Sequence, residues 1–229
     1  MAEAERSIDV PMRRLPRWLE GFATRHGPWQ ARAFGDRLEG SPGRLEGESQ
    51  GFSEDSLSWE VLAEDGSHAH VVPPPWLDAK PGAAFDAAEL AGAQPAYGVV
   101  LLRRAGYAVG AFEGSALVDR KVSTRHIHGR TAAGGWSQQR YARRRANQAD
   151  EIVAAAAASA DRILGSRRGL AFLVTGGDRE LLAAVLGRFG PRLSGLPVGG
   201  HVGVGAPDAA VLAGMPDRIL AVRIDLSEA

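Results

Sequence analysis

The chain has 229 residues, of which 45% are apolar and 24% charged, a composition typical of a globular protein with a hydrophobic core. Its formal net charge is zero, with 27 basic and 27 acidic residues, which taken alone argues against a nucleic-acid partner. The absence of cysteine excludes disulfides, a thiol nucleophile and cysteine-ligated metal sites, and it fits a reducing cytosol. No apolar run reaches the roughly 20 residues of a membrane helix, so we expect a cytoplasmic protein without a membrane partner.

The zero net charge is the sum of two blocks of opposite sign. Residues 45–66 contain Asp and Glu but no Lys or Arg, whereas residues 120–148 contain Lys and Arg but no Asp or Glu. The second block is nearly all arginine and flanks a glycine-rich loop. This pattern favours contact with a polyanion over a merely solvated helix face.

The first part of the chain predicts a small α+β domain, residues 1–92. A helix is expected near Leu15–His26, followed by a polar, glycine-rich stretch. Strands at 57–62 and 68–72 alternate in polarity, and the Asp65-Gly66 dipeptide between them is typical of a hairpin turn. Three consecutive prolines, 73–75, end the hairpin, and the Ala-, Gly- and Pro-rich stretch 78–95 is the expected domain boundary.

Residues 93–229 predict a second domain with a mixed α/β sheet and one long helix, so the fold class is α/β (α+β). Strands are expected at 98–103, 107–112, 117–122, 170–175 and 219–224, with a helix from about 178 to 189. Between them, apolar residues alternate three and four apart from Ala142 to Ile163, which predicts an amphipathic helix. With Ser137 as its cap and Gly165 as its end, this helix would have ~27 residues and a length of about 40 Å.

Several familiar sites are absent or weakly supported, and we predict no cofactor and no metal ligands. The pairs His68/His70 and His126/His128 have metal-compatible spacing but no evident third ligand. Gly176-Gly177-Asp178 is better explained as a turn with a helix cap than as an anion site, and residues 198–205 are expected to form a loop. Covalent catalysis is disfavoured. So is a metal-dependent nuclease, because no carboxylates converge on the basic block.

The segment from Gly134 to Arg145 is the strongest candidate site. Gly134 and Gly135 allow the backbone to approach a ligand closely, and glutamines follow at the start of an arginine-rich helix. A glutamine is a poor general base, but its amide can orient water or donate a hydrogen bond to a developing oxyanion. These properties suit hydrolysis of an activated ester attached to RNA. On spacing alone, a flexible loop before a solvated helix explains them equally well.

This segment resembles the middle domain of eukaryotic and archaeal class 1 translation termination factors, where a Gly-Gly-Gln loop precedes a long helix that begins much like residues 140–145. It is more similar to the Vms-one-like release-factor family, peptidyl-tRNA hydrolases of ribosome quality control with a Gly-x-x-Gln loop, and to its actinobacterial branch. Gly135-Trp136-Ser137-Gln138 matches that loop. The resemblance is specific over residues 129–148, covers most of the chain and is vague before about residue 95.

The resemblance implies an RNase H-like fold for the second domain and cleavage of the ester between nascent peptide and tRNA on a stalled large ribosomal subunit. The family's catalytic glutamine corresponds to Gln138, with Gln139 as the alternative, and Gly134 and Gly135 form the flexible approach. An ungapped alignment with the termination factors would instead put Trp136 at the glutamine position. The zinc finger, ankyrin repeats and partner-binding tail of the eukaryotic relatives have no counterpart in this sequence.

The expected partners are peptidyl-tRNA and the rRNA of the large ribosomal subunit. The residues expected to contact RNA are Arg125, Arg130, Trp136, Arg140, Arg143, Arg144 and Arg145. Two other functions remain open from the residues. One is a non-catalytic tRNA- or rRNA-binding module in which Trp136 stacks on a base, and the other, less favoured, is a tRNA-processing nuclease.

Overall fold

The computed structural model describes residues 6–34, 58–77, 83–124 and 137–229, with backbone alone for Phe34 and residues 137–146. A short 3-10 helix, Met12–Arg14, follows the first strand. In chain order, the other elements are β1 (Arg6–Pro11), α1 (Leu15–His26), β2 (Trp29–Phe34), β3 (Ser58–Ala63), β4 (His68–Val72), α2 (Ala87–Gly92), β5 (Ala96–Arg103), β6 (Gly106–Glu113), β7 (Ala116–Thr124), α3 (Ser137–Ile163), β8 (Phe172–Gly177), α4 (Arg179–Leu186), α5 (Pro191–Ser194), β9 (Val198–Val202), α6 (Ala209–Ala213), α7 (Pro216–Ile219) and β10 (Ala221–Ser227).

The described residues divide into two compact units, one formed by residues up to 94 together with 215–229, and the other by residues 95–214. The first unit contains an antiparallel sheet with strand order β1-β10-β4-β3-β2. Leu15, Leu19 and Phe22 recur at helical spacing along α1, and all three are buried in the core of this unit. On β3 the buried Trp59 and Val61 alternate with more exposed residues, as expected for a sheet with one covered face.

The second unit contains a mixed sheet with strand order β7-β6-β5-β8-β9. β5, β6 and β7 form an antiparallel meander, whereas β8 and β9 run parallel to β5. Three consecutive antiparallel strands, a long helix and then two parallel strands make this unit mixed α+β. β5 and β8 consist almost entirely of buried residues, since helices cover the sheet beside them.

The fold class and the main predicted elements are confirmed. α1 has the predicted bounds, the hairpin β3–β4 turns at Gly66 with a φ of 93°, and α3 spans Ser137–Ile163 as its periodicity indicates. Asp178 caps α4, because its carboxylate accepts a hydrogen bond from the backbone N–H of Leu181.

Other expectations were wrong or incomplete. Residues 198–202, predicted as part of a loop, form the parallel strand β9, and the expected linker 78–95 contains α2. β1 and β2 were not predicted. The last strand, β10, pairs with β1 and β4 in the first sheet. The division of the chain into domains 1–92 and 93–229 stays a prediction.

Candidate functional site

The predicted site lies where β7 ends and α3 begins. Gly134, Gly135, Trp136, Arg125 and Arg130 lie outside the described residues, as do His126 and His128. The backbone of the remaining predicted residues belongs to the first turns of α3, which begins at Ser137; these are Gln138, Gln139, Arg140, Arg143, Arg144 and Arg145. Their assignment to catalysis or RNA contact therefore stays a prediction.

The start of α3 has the electrostatic character that the predicted chemistry needs. Gln138 and Gln139 occupy the first turn of the helix, where backbone N–H groups have no carbonyl partner within the helix. The aligned peptide dipoles also give this end a partial positive charge. A negative charge that develops on a substrate oxygen beside this turn would be stabilised.

The C-terminal half of α3 packs firmly on the sheet. Among its described side chains, burial begins at Ile152 and continues at three- and four-residue spacing through Ala156 and Ala160 to Ile163. The alanines allow the helix to approach the strands closely, and Gly98 on β5 leaves the space that the side chain of Leu164 fills. At 1.5 Å per residue, the helix continues for about 22 Å on the N-terminal side of Ile152.

Polar contacts fix α3 to its neighbours in the same unit. The hydroxyls of Tyr107 on β6 and Ser159 on α3 are 2.9 Å apart, within hydrogen-bond distance. Nη2 of Arg188 donates a hydrogen bond to Oδ1 of Asp150 at 2.5 Å. Oδ1 of Asp161 accepts a hydrogen bond from the backbone N–H of Gly190 at 3.3 Å. Residues spread over 12 positions of the helix thus have partners outside it, which restrains its position relative to the sheet.

The end of β7 that precedes the candidate loop is also closely packed. Thr124, the last residue of β7, pairs with Gly106 at the start of β6. A Cβ atom added to Gly106 would lie 2.4 Å from the carbonyl oxygen of Ser123, so this position has no room for a side chain. The point from which the loop departs is therefore set by direct backbone packing between two strands.

The described members of the basic block remain exposed. Arg120 and Lys121 lie on β7 and make no ion pair with a carboxylate in the described part of the chain. The carboxylate of Asp119 accepts a hydrogen bond from the backbone N–H of Arg120 at 2.7 Å.

Two members of the acidic block have partners in the first unit. Glu60 pairs with Arg32 on the neighbouring strand, and Nε of Arg32 is 2.5 Å from its carboxylate. Asp65 lies 2.9 Å from Nδ1 of His26. A backbone hydrogen bond from Ser67, followed by the side-chain hydrogen bond from His26, lowers the pKa of the Asp65 carboxyl.

The remaining sequence candidates show no assembled metal site. His68 and His70 lie on one face of β4, and Nε2 of His70 is 2.8 Å from the hydroxyl of Ser58. Within the described ranges, no cluster of three or more His, Asp or Glu side chains could hold a metal ion. None of the helices in these ranges has the length and apolar character of a membrane span.

The structure also brings to this site a pair of residues that sequence reasoning missed. Arg103 is the last residue of β5, and Arg104 is the first residue of the two-residue β5–β6 turn. Arg103 pairs with Gly106, which pairs with Thr124 on its other side. Nε of Arg103 donates to the carbonyl of Val204 at 3.0 Å. The Arg103-Arg104 dipeptide, separated by Ala105 from the glycine that begins β6, was the available signal, but it lies outside the uninterrupted basic block.

Comparison with known families supports the assignment of the second unit. Residues 95–225, more than half of the chain, match the model of a family described as Actinobacteria/chloroflexi VLRF1 release factor. The match includes β5 to β9, α3 and the candidate loop. None of the curated proteins compared with the chain is similar enough to count as a match.

Proposed function

Because the chain belongs to the Actinobacteria/chloroflexi VLRF1 release-factor family, we propose that it is a peptidyl-tRNA hydrolase that acts on stalled large ribosomal subunits. The family suggests a ribosome-associated, release-factor-like role, and the hydrolysis is our proposal. The observation that supports it is the start of α3 at Ser137, directly after the glycine-rich loop, on a helix anchored to the sheet from Ile152 onward. A helix fixed to the sheet at its C-terminal half would hold the loop at its N-terminal end in a defined position, from which the loop could reach a buried substrate.

In the proposed reaction, water attacks the carbonyl carbon of the ester between peptide and tRNA. The new carbon–oxygen bond forms as negative charge collects on the carbonyl oxygen. The ester bond then breaks, and the departing tRNA oxygen takes up one proton of the water to become a hydroxyl. The second proton passes to solvent, and the peptide leaves as a carboxylate. The amide of Gln138 would orient the water or donate a hydrogen bond to the oxyanion, and the first turn of α3 would add its partial positive charge.

The arginines of the site would bind rather than react. Arg140, Arg143, Arg144 and Arg145, with Arg125 and Arg130, would contact phosphates of the tRNA acceptor end or of rRNA. Trp136 would stack on a base. The ester is already activated, so positioning and electrostatic stabilisation supply the chemistry that the protein needs.

Replacing Gln138 with Ala tests the catalytic assignment. Loss of one oxyanion-type donor typically lowers the rate by ~10²–10³, about 2.7–4 kcal/mol, so peptide release should fall by that factor while binding to the ribosomal complex is retained. The assay is release of peptide from purified peptidyl-tRNA–ribosome complexes. Gln139→Ala is the matched control and should remain active. If both variants released peptide as fast as the wild type, the assignment of Gln138 would be wrong.

The products distinguish this function from the two alternatives. Ester hydrolysis leaves intact tRNA and free peptide in the presence of EDTA, whereas a metal-dependent nuclease leaves shortened tRNA and stops when metal is removed. A non-catalytic binding module leaves peptidyl-tRNA unchanged under both conditions. A single gel of peptidyl-tRNA incubated with the protein, with and without EDTA, separates the three functions.

A further inference from the structure

We infer that the β5–β6 turn and the edge strand β7 form a second RNA-contact surface, in which Arg104 and Lys121 bind backbone phosphates beside the candidate loop. This inference rests on the proposed function, since the RNA is the tRNA or rRNA that the loop approaches. Arg104 and Lys121 belong to the sheet and its β5–β6 turn, whereas four of the arginines predicted to contact RNA lie at the start of α3. They extend the basic region from a helix onto the sheet.

The strand register places this surface at the end of the sheet from which the loop departs. Arg103 pairs with Gly106, and Gly106 pairs with Thr124, so the two-residue turn Arg104-Ala105 lies at the same sheet end as the last residue of β7. Neighbouring strands are about 4.8 Å apart. Lys121 precedes Thr124 by three residues, or about 10 Å along the strand.

Lys121 also lies on the face of the sheet that carries α3. It pairs with Val109, which belongs to the core cluster formed with buried residues of α3 such as Val153 and Ala156. Side chains of directly paired residues point to the same face of a sheet. Lys121 nevertheless remains exposed, because β7 is the edge strand.

The turn is held in place while the charge of Arg104 stays accessible. The hydrogen bond from Nε of Arg103 to the carbonyl of Val204 anchors the turn to the segment after β9. Arg104 is exposed and makes no ion pair or hydrogen bond with the described residues. By contrast, Arg188 and Arg167 in the same unit pair with Asp150 and Glu113.

Nearby carboxylates do not cancel this positive charge. Asp119 accepts a hydrogen bond from a backbone N–H, and Asp178 is the cap of α4. The charges in this region are therefore two carboxylates and three cations, Arg103, Arg104 and Lys121, while the neighbouring Arg179 and Glu180 have opposite charges. Arg120 lies on the other face of β7. The net charge of this surface is positive, so it attracts a phosphate backbone and repels a basic protein surface.

The test uses the full-length chain with Arg104→Glu and Lys121→Glu combined, and measures affinity for deacylated tRNA and for large ribosomal subunits over a range of KCl concentrations. Each lost phosphate contact should lower the slope of log affinity against log salt by about 0.7–0.9, or about 1.5 for the pair. If the two proteins bind equally at 1 M salt, this change in slope corresponds to a loss of affinity of about 17-fold at 0.15 M salt. In peptide release, KM should rise while kcat is retained.

Two further variants separate charge from structure. Arg162→Glu with Arg168→Glu changes two exposed cations that also lack carboxylate partners among the described residues. They lie near the opposite end of the sheet, where β8 begins, so this variant should bind like the wild type. Arg104→Lys with Lys121→Arg keeps both charges and should retain the wild-type salt slope.

The outcomes for this surface and for hydrolysis are independent. If the Arg104/Lys121 reversal kept the wild-type salt slope while the wild type released peptide, the surface would be refuted and the proposed function retained. If the reversal flattened the slope but the wild type released no peptide, the surface would be supported and hydrolysis refuted. A loss of affinity equal to that of the Arg162/Arg168 control would also overturn the inference, because it would reflect total charge rather than position.

Discussion

Replacing Gly106 with Ala should loosen the strand end that carries the candidate loop without altering any predicted RNA-contact residue. Gly106 begins β6 and pairs with Thr124 at the end of β7. Its φ is outside the left-handed region, so alanine is compatible with the local backbone conformation. The effect of the substitution is therefore steric and tests the packing between these strands directly.

The magnitude follows from the distances around the added Cβ. It would lie 2.4 Å from the carbonyl oxygen of Ser123 and 3.1 Å from Cα of Thr124, and both atoms belong to the backbone. Neither can rotate away, so β7 must move by more than half an ångström. Overpacking of this kind typically costs 1–3 kcal/mol, partly offset by about 0.4–1 kcal/mol from the reduced freedom of the unfolded chain. We expect a net loss of about 1–2 kcal/mol.

Amide hydrogen exchange measured by mass spectrometry reports this effect locally. Since 1.4 kcal/mol corresponds to a factor of ten, peptides from β6 and β7 should exchange about 5- to 30-fold faster than in the wild type. Peptide release should also slow, because the start of the loop moves with β7. Gly205→Ala is the control, since a Cβ there would meet nothing within 4 Å and should leave exchange unchanged. Wild-type exchange in β6 and β7 of Gly106→Ala would refute this account of the strand end.

Two other substitutions test buried and titrating groups. Tyr97 is fully buried between the rings of Phe112 and Phe172, and burial raises the pKa of its phenol. Its hydroxyl has no hydrogen-bond partner in the described structure. Tyr97→Phe should therefore stabilise the protein by about 1 kcal/mol in urea denaturation. A loss of stability of similar size would mean that the hydroxyl is satisfied. The lowered pKa of Asp65 means that its contribution to stability is present above its ordinary pKa of 3.8 and is lost as pH falls through the lower folded value. Asp65→Asn should therefore destabilise the protein at pH 6 more than at pH 3, and equal effects at both pH values would contradict this linkage.

The elements that could be predicted from sequence are those with a strong local pattern. Helical spacing from Ala142 to Ile163 predicted α3, because one face of that helix packs on the sheet. The Asp65-Gly66 turn predicted the hairpin β3–β4, since Gly66 adopts the positive φ that such a turn requires. In both cases, the residues that form the element also determine its bounds.

The elements that were missed depend on distant partners. β9 is a glycine-containing strand whose parallel pairing with β8 leaves no alternating pattern, so Val198–Val202 resembled a loop. β1 includes Pro11, which is tolerated because β1 is an edge strand paired with β10 more than 200 residues later. Arg103 and Arg104 were overlooked for the same reason, because only strand register shows that they lie beside Thr124.

The distribution of partners explains why a net charge of zero is compatible with an RNA-binding surface. Glu60 and Asp65, from the acidic block, each have a cationic or imidazole partner within 3 Å in the first unit. The field of a close ion pair weakens rapidly with distance and is further screened beyond the Debye length of about 8 Å at physiological salt. Arg104 and Lys121 have no such partner among the described residues, so their charges act on the solvent side of the second unit. An approaching phosphate backbone responds to these local, uncompensated charges rather than to their sum over the chain.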